Sequence, residues 1–171
     1  MHGAKIFENV RVTGFDMQDG RILAVKTNKG DIACEKVVNC AGQWARQIGV
    51  MAGINVPLQP VKHQYVITEA IERVPALANV GVRQMINGPE SFTPDGNFIL
   101  GPAPECVNMF VGAGFNAFGI AAGGGAGWVL AQWVIDGEAP LDLWVVDIRR
   151  FSDMHRDRQW VNDRTLEAYG K

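Results

Sequence analysis

Asn108-Met109-Phe110-Val111-Gly112-Ala113-Gly114-Phe115-Asn116-Ala117-Phe118-Gly119-Ile120 is the stretch on which the fold turns. Its first four residues form an apolar run of strand length. The small residues that follow lead into an apolar helical pattern over 120–135, closed by Asp136-Gly137 and Pro140. A buried strand feeding a long buried helix is a unit of an α/β sheet. The segment 112–117 also satisfies the dinucleotide fingerprint GxGxxG/A, with Asp136 about twenty residues further on. Two features weaken a phosphate-binding reading: Asp136 ends a helix instead of a second strand, and too little chain follows to complete a doubly wound sheet. Two other readings stand beside it. Gly119, Gly123 and Gly127 recur at helix spacing and suit tight helix–sheet packing. The loop amides and the helix N-terminus also suit an anionic or electron-rich ligand.

Outward from this stretch, Lys36-Val37-Val38-Asn39-Cys40-Ala41-Gly42 reads as a second buried strand, followed by a helical pattern through Trp44, Ile48, Met51 and Ala52. In an open α/β sheet the carboxyl end of such a strand is a ligand position. Upstream, strand character over 10–17 and 21–27 flanks Asp19-Gly20, a hairpin turn, and Asp31-Ile32-Ala33-Cys34 adds a third short strand to a β-meander. Downstream, 61–68 alternates like a strand, 69–79 is uninformative, and 80–87 has strand character. Asn87-Gly88-Pro89 and Thr93-Pro94-Asp95-Gly96-Asn97 read as turns on either side of Ser91-Phe92. A short strand follows over 98–102, and 157–169 reads as a final amphipathic helix.

The composition suits a globular domain with one core: 171 residues, 47% hydrophobic and 20% charged. A formal net charge of -2 supplies no basic stripe for nucleic acid. Cys34, Cys40 and Cys106 form neither a CxxC pair nor an even set, which argues against a disulfide framework or a zinc site. No run is long and apolar enough to span a membrane, and the first residues lack a signal-peptide core. The expected setting is the cytoplasm, or the mitochondrial matrix in a eukaryote.

Four motifs in order then give the chain a family likeness: 39–45 (NCAGQWA), 62–66 (KHQYV), 86–96 (INGPESFTPDG) and 112–120 (GAGFNAFGI). Together they resemble the dimethylglycine and sarcosine dehydrogenases, within the D-amino-acid-oxidase-like flavoproteins. The resemblance implies FAD as cofactor, a mixed α/β fold with part of a Rossmann-like FAD domain, and a small N-methylated amine as substrate. It implies that Val12 holds the adenine end through its backbone and that Ala41, Gly42 and Trp44 line the cofactor groove. Gly114, Phe115, Asn116, Ala117, Phe118, Gly119 and Ile120 would contact the isoalloxazine ring. His63 matches the active-site histidine, whose ordinary pKa suits handling an amine proton; read bare, a histidine alternating with Val61 and Tyr65 is a structural residue. Tyr65 is expected to pack or hydrogen-bond, and His2 and His155 have only surface readings.

The resemblance also marks departures. The family's amino-terminal strand, its GxGxxG phosphate loop and its upstream flavin-tethering histidine have no counterpart, so the chain is expected to be truncated. Only a short segment separates the His63 motif from Asn87-Gly88-Pro89, where the family has a long run of substrate-domain strands. The expected layout is one partial FAD-dependent oxidoreductase domain over 1–171. Residues 1–60 form the meander and strand–helix, 61–90 a substrate-domain remnant, 91–140 the flavin-ring loop and long helix, and 141–171 the tail. Two functions follow from this. One is an FAD-dependent amine oxidoreductase fragment; the other is a non-catalytic regulatory or interaction module, or an orphan product, that keeps the fold without turnover. Sheet edges left open by missing segments invite a homodimer.

Overall fold

A computed structural model of the chain describes residues 3–64, 75 and 87–170. Three small sheets, three α-helices and short 3-10 turns make up the regular structure of the described residues. The meander comprises β1 (Val12–Gln18), β2 (Arg21–Thr27) and β3 (Gly30–Ala33), paired antiparallel in that order. The β1–β2 turn is made as its residues dictate. Asp19 and Gly20 adopt φ of 49° and 73°, the left-handed pair that a two-residue hairpin of matching twist requires.

The second sheet carries the fold-deciding stretch. Its order is β4 (Val37–Asn39), β8 (Met109–Ala113), β7 (Ile99–Pro102), with β8 parallel to β4 and antiparallel to β7. Every residue of β8 is buried, as expected for a strand covered on both faces. Alternation sends its side chains to two cores. Met109, Val111 and Ala113 pack with Ile22 of the meander, with Ala45 and Ala52 of the α1 (Ala45–Met51) region, and with Ile54, Val56 and Leu58 beyond it. Phe110 on the other face joins Leu100 and the buried side of α2 (Gly119–Asp136), namely Ala126, Val129, Leu130 and Trp133.

One polar side chain ties the meander to this sheet. The fully buried Asn108 accepts from the Ile22 amide at 2.9 Å and donates to the Ile22 and Glu35 carbonyls at 2.8 Å each. Those bonds satisfy backbone groups that would otherwise be orphaned between the two sheets.

The third sheet is a ladder of β5 (Gln59–Gln64) and β6 (Asn87–Phe92), antiparallel, with His63 opposite Gly88 and Val61 opposite Glu90. Here the sequence expectation is corrected. Asn87-Gly88-Pro89 is strand and not turn, because a two-stranded ladder is all edge and an edge strand tolerates a proline that has no N–H to donate. The strand expected over 61–68 is described only to residue 64, and the one expected over 80–87 lies, up to residue 86, outside the described residues.

A second correction concerns α2, expected to be buried. Among the described residues it packs on one side only, leaving Ile120, Trp128 and Ile135 exposed. A Cβ added at Gly123 or Gly127 meets nothing within 4 Å, so the spaced glycines do not form a tight contact with any described element. Close approach occurs instead on the strands. A Cβ at Gly112 would stand 2.7 Å from Leu130 Cδ1, and one at Gly101 would stand 2.8 Å from the Trp133 ring.

The tail ends in α3 (Arg158–Tyr169), capped by the Asp157 carboxylate, which accepts from the Gln159 and Trp160 amides. His155 has more than a surface role: its Nδ1 lies 3.1 Å from the Ser152 amide in a capping box, and its ring sits between Phe151 and Trp160. No helix among the described residues is long and apolar enough to cross a membrane.

Candidate functional site

Beyond β8 the chain makes a turn that its residues do not favour locally. Gly114 takes a φ of +66°, and a Cβ there would lie 2.6 Å from Thr93 Cγ2, so only glycine fits. Asn116 and Ala117 follow with φ of 49° and 73°. Alanine in the left-handed region costs about 1 kcal/mol and persists only where the surroundings over-determine it. The Asn116 side chain, 9% exposed, does this. Its Oδ1 accepts from the Thr93 amide at 2.9 Å and its Nδ2 donates to the Gly114 carbonyl at 2.8 Å, while its own amide donates to Ser91 O at 3.1 Å. The Thr93 hydroxyl in turn donates to the Asn97 carbonyl at 2.7 Å.

This clamp sets the start of α2. Its N-cap, Phe118, supplies no side-chain hydrogen bond, so the first-turn amides are left for whatever lies in front of them. Such an end carries partial positive charge.

The facing wall comes from the end of β4. Asn39, buried, donates to the Ala45 carbonyl at 2.8 Å and accepts from the Ala41 amide at 3.3 Å, which fixes the 3-10 turn Gly42–Trp44. Trp44 stands 61% exposed at its end. β6 closes the third side with Pro89, Glu90 and Ser91. Between these walls lies an open groove of about 440 Å³, and a neighbouring hollow of about 260 Å³ runs along α2 past Cys40, Gly112, Gly123 and Gly127. The two share Gly42 and Phe115, the latter stacked on Phe98 at 5.1 Å. Partial desolvation pushes the Cys40 thiol above its ordinary pKa, although the residue keeps an exposed surface.

Most of the expected site residues come together here: Gly42, Trp44, Phe115, Asn116, Ala117, Gly119 and Ile120 line the groove. Gly114 lies behind the loop against Thr93, Phe118 is exposed at the helix start, and Ala41 packs against the first core. Val12 begins β1 opposite Thr27 and is not among the lining residues. His63 is placed on β5, in the ladder that carries Glu90; its side chain lies outside the described set. Sequence reasoning did not single out Gln43, Pro89, Glu90 and Ser91 as lining residues. The last three were hidden by reading Asn-Gly-Pro as a turn; as a strand, 87–92 brings them to the groove. No group of three metal-ligating side chains occurs among the described residues.

Residues 1–81 match the family model described as "FAD dependent oxidoreductase" (DAO), and residues 136–171 match the "FAD dependent oxidoreductase central domain". The chain belongs to the DAO family of FAD-dependent oxidoreductases. It is 33% identical to mitochondrial sarcosine dehydrogenase of Mus musculus over 239 residues, covering 99% of this chain and 26% of that protein. It is 29% identical to the formaldehyde-forming 4-methylaminobutanoate oxidase of Paenarthrobacter nicotinovorans over 235 residues, covering 99% of this chain and 28% of that one. The chain thus spans about a quarter of the length of these curated relatives. Aligned stretches of 239 and 235 residues against a chain of 171 mean that the relatives carry internal segments without a counterpart here, in keeping with the expected internal deletion. Among solved structures, L-proline dehydrogenase from P. horikoshii superposes with a TM-score of 0.77 at 26% identity, covering 87% of this chain and 55% of that one. The FAD-dependent family and the mixed α/β fold read from the four motifs therefore both hold.

Proposed function

We propose that the groove between the 115–120 loop, Trp44 and β6 holds the isoalloxazine ring of FAD, and that the site serves the oxidation of a small N-methylated amine such as sarcosine or dimethylglycine. The observation that carries this reading is the uncapped N-terminus of α2, presented on the groove by the left-handed pair Asn116-Ala117. Strain of that kind, held by a buried side chain, concentrates at ligand sites.

The lining suits the ring. Phe115, Ile120 and Trp44 offer apolar and aromatic surface for its flat faces, with Ile120 and Trp44 both exposed. The first-turn amides of α2 suit an electron-rich ring edge, since helix N-termini stabilise negative charge. Gly42, with φ of +55° and nothing within 4 Å of an added Cβ, leaves room beside Trp44. Among the described residues, no cationic side chain lines either hollow.

When bound, FAD supplies the acceptor for the electron pair removed from the amine's N-methyl C–H. The chain's own residues bind and orient. Trp44 and Ile120 exclude water from the ring, the Asn116 clamp keeps the amides in place, and His63, on β5, accepts or steers the amine proton. Sarcosine dehydrogenase and 4-methylaminobutanoate oxidase, by their names, act on methylated amines, which supports this substrate class. The test is an anaerobic absorbance titration. Protein supplied with FAD is expected to bleach its flavin band on adding dimethylglycine or sarcosine. A fully bound flavin that stays oxidised with both would overturn the substrate assignment.

A further inference from the structure

We infer that the hollow between α1 and the start of α3 binds a phosphoryl group, taken as free phosphate or as the end of a phosphate monoester. This hollow shares no lining residue with the groove beside Trp44 and does not depend on the flavin reading. Its wall carries Arg46 of α1, Arg156 and Arg158 of the tail, and the polar side chains of Asn55, Gln59 and His155. No aspartate or glutamate is among the described residues that line it.

The arginines differ in what already holds them. Arg156 is neutralised, with its Nη2 2.8 Å from Glu105 Oε1 and its Nε 3.2 Å from Asp153 Oδ1. Arg46 and Arg158 have no hydrogen-bond or ion-pair partner among the described residues. The neighbouring Asp157 carboxylate accepts from the Gln159 and Trp160 amides as the cap of α3. Three costs therefore meet at one place. Arg46 is partly stripped of water and faces the like charge of Arg158, and the two effects together hold its pKa below the ordinary guanidinium value. Arg158 is also the first residue of α3, where the helix dipole disfavours a cation. A doubly charged oxyanion between the two guanidiniums offsets all three, and guanidinium forks match phosphate oxygens in pairs. The enclosed space is about 10 Å³, about the room a single water needs. One phosphate oxygen enters it while the others stay at the mouth, which leaves space for an ester. Bound there, the anion clamps α1 to the tail across a point where the two would otherwise repel.

Isothermal titration of the full chain with inorganic phosphate and with glycerol 3-phosphate, at constant ionic strength set by chloride, tests the site. Wild-type protein is expected to bind saturably in the millimolar range, at one site, and more weakly as chloride rises. Arg46→Gln and Arg158→Gln should each weaken binding about tenfold, and Arg46→Lys, which keeps the charge without the fork, by less. A second readout separates a ligand role from a structural one. In phosphate-free buffer Arg158→Gln should leave the urea midpoint unchanged or raise it, because it removes a repulsion. Absence of saturable binding by wild type overturns the inference, as does binding that neither substitution weakens, or a lower urea midpoint for phosphate-free Arg158→Gln. If Arg46→Gln does not fold, the exposed Arg158 decides alone. Tighter binding of the ester assigns the site to a carried phosphoryl group, tighter binding of the free ion to inorganic phosphate, and either agrees with the inference.

Discussion

Replacing Asn116 by aspartate changes one NH2 group into an oxygen and leaves the shape of the side chain intact. In the wild-type loop Nδ2 donates to the Gly114 carbonyl at 2.8 Å and Oδ1 accepts from the Thr93 amide at 2.9 Å. Asn116→Asp keeps the acceptor toward Thr93 but sets a second oxygen against the Gly114 carbonyl, at a position 9% exposed. The lost donor leaves a buried carbonyl unsatisfied, about 1–3 kcal/mol, and confining the charge adds to that. A loss of about 3 kcal/mol at pH 7 follows, a large part of a typical domain stability of about 5–15 kcal/mol. The sign with pH is fixed. Burial and the facing carbonyl raise the introduced carboxyl's native pKa above its unfolded value of about 3.9, so the folded state binds the proton more tightly. The full deficit is present above the native pKa and shrinks as the pH falls from there toward about 3.9. Urea unfolding at pH 7.5 and pH 5, against wild type at each pH, measures both quantities. A variant within about 0.5 kcal/mol of wild type at pH 7.5, or a deficit that does not shrink on acidification, would refute the clamp as drawn.

The other expectations concern the same region. Gly114→Ala should cost about 2–4 kcal/mol by chemical denaturation, since strain at positive φ adds to a 2.6 Å clash with Thr93. Gly112→Ala clashes only with the far end of Leu130, at 2.7 Å, its contacts with Cys40 at 3.4 Å and Leu100 at 3.8 Å being ordinary ones, and should cost about 1 kcal/mol. Asp95, its side chain 36% exposed, receives Nε of Arg150 at 2.6 Å and NH2 at 3.1 Å. Its burial alone would raise the carboxyl pKa, but the Arg150 hydrogen bonds and charge, with smaller backbone and Thr93 contributions, bring it net below the ordinary value. Its stabilising effect is therefore complete above about pH 3.9 and lost as the pH falls through the lower native value. Asp95→Asn should lose about 1 kcal/mol at pH 7, after allowance for solvent screening, and show a flatter acid limb in a stability–pH profile.

The local grammar of the sequence carried much of the fold. Asp19-Gly20 dictated its hairpin, the apolar run before Gly112 gave β8, and Asp157 capped α3 where a helix was expected to begin. What it concealed was tertiary. The Asn87-Gly88-Pro89 turn signal yields to a ladder with β5 that only the folded chain supplies. The burial expected of α2 followed from its apolar composition, yet composition does not say how many neighbours a helix finds. The family motifs pointed to Gly42, Trp44, Phe115, Asn116, Ala117, Gly119 and Ile120, and these line one groove. The clamp was not legible, because Asn116 and Thr93 meet across a reversal of the chain that no periodicity records.

The groove is proposed to recognise the flavin ring and not the nucleotide half of the cofactor. Parallel equilibrium titrations with riboflavin, FAD and AMP test it most directly, with flavin fluorescence quenching and competition as readouts. Riboflavin and FAD are expected to bind with affinities within a few-fold of each other, both weakened by Trp44→Ala and Asn116→Asp, while AMP does not compete. AMP competing with FAD while riboflavin fails to bind would put the nucleotide half, and not the ring, in the groove.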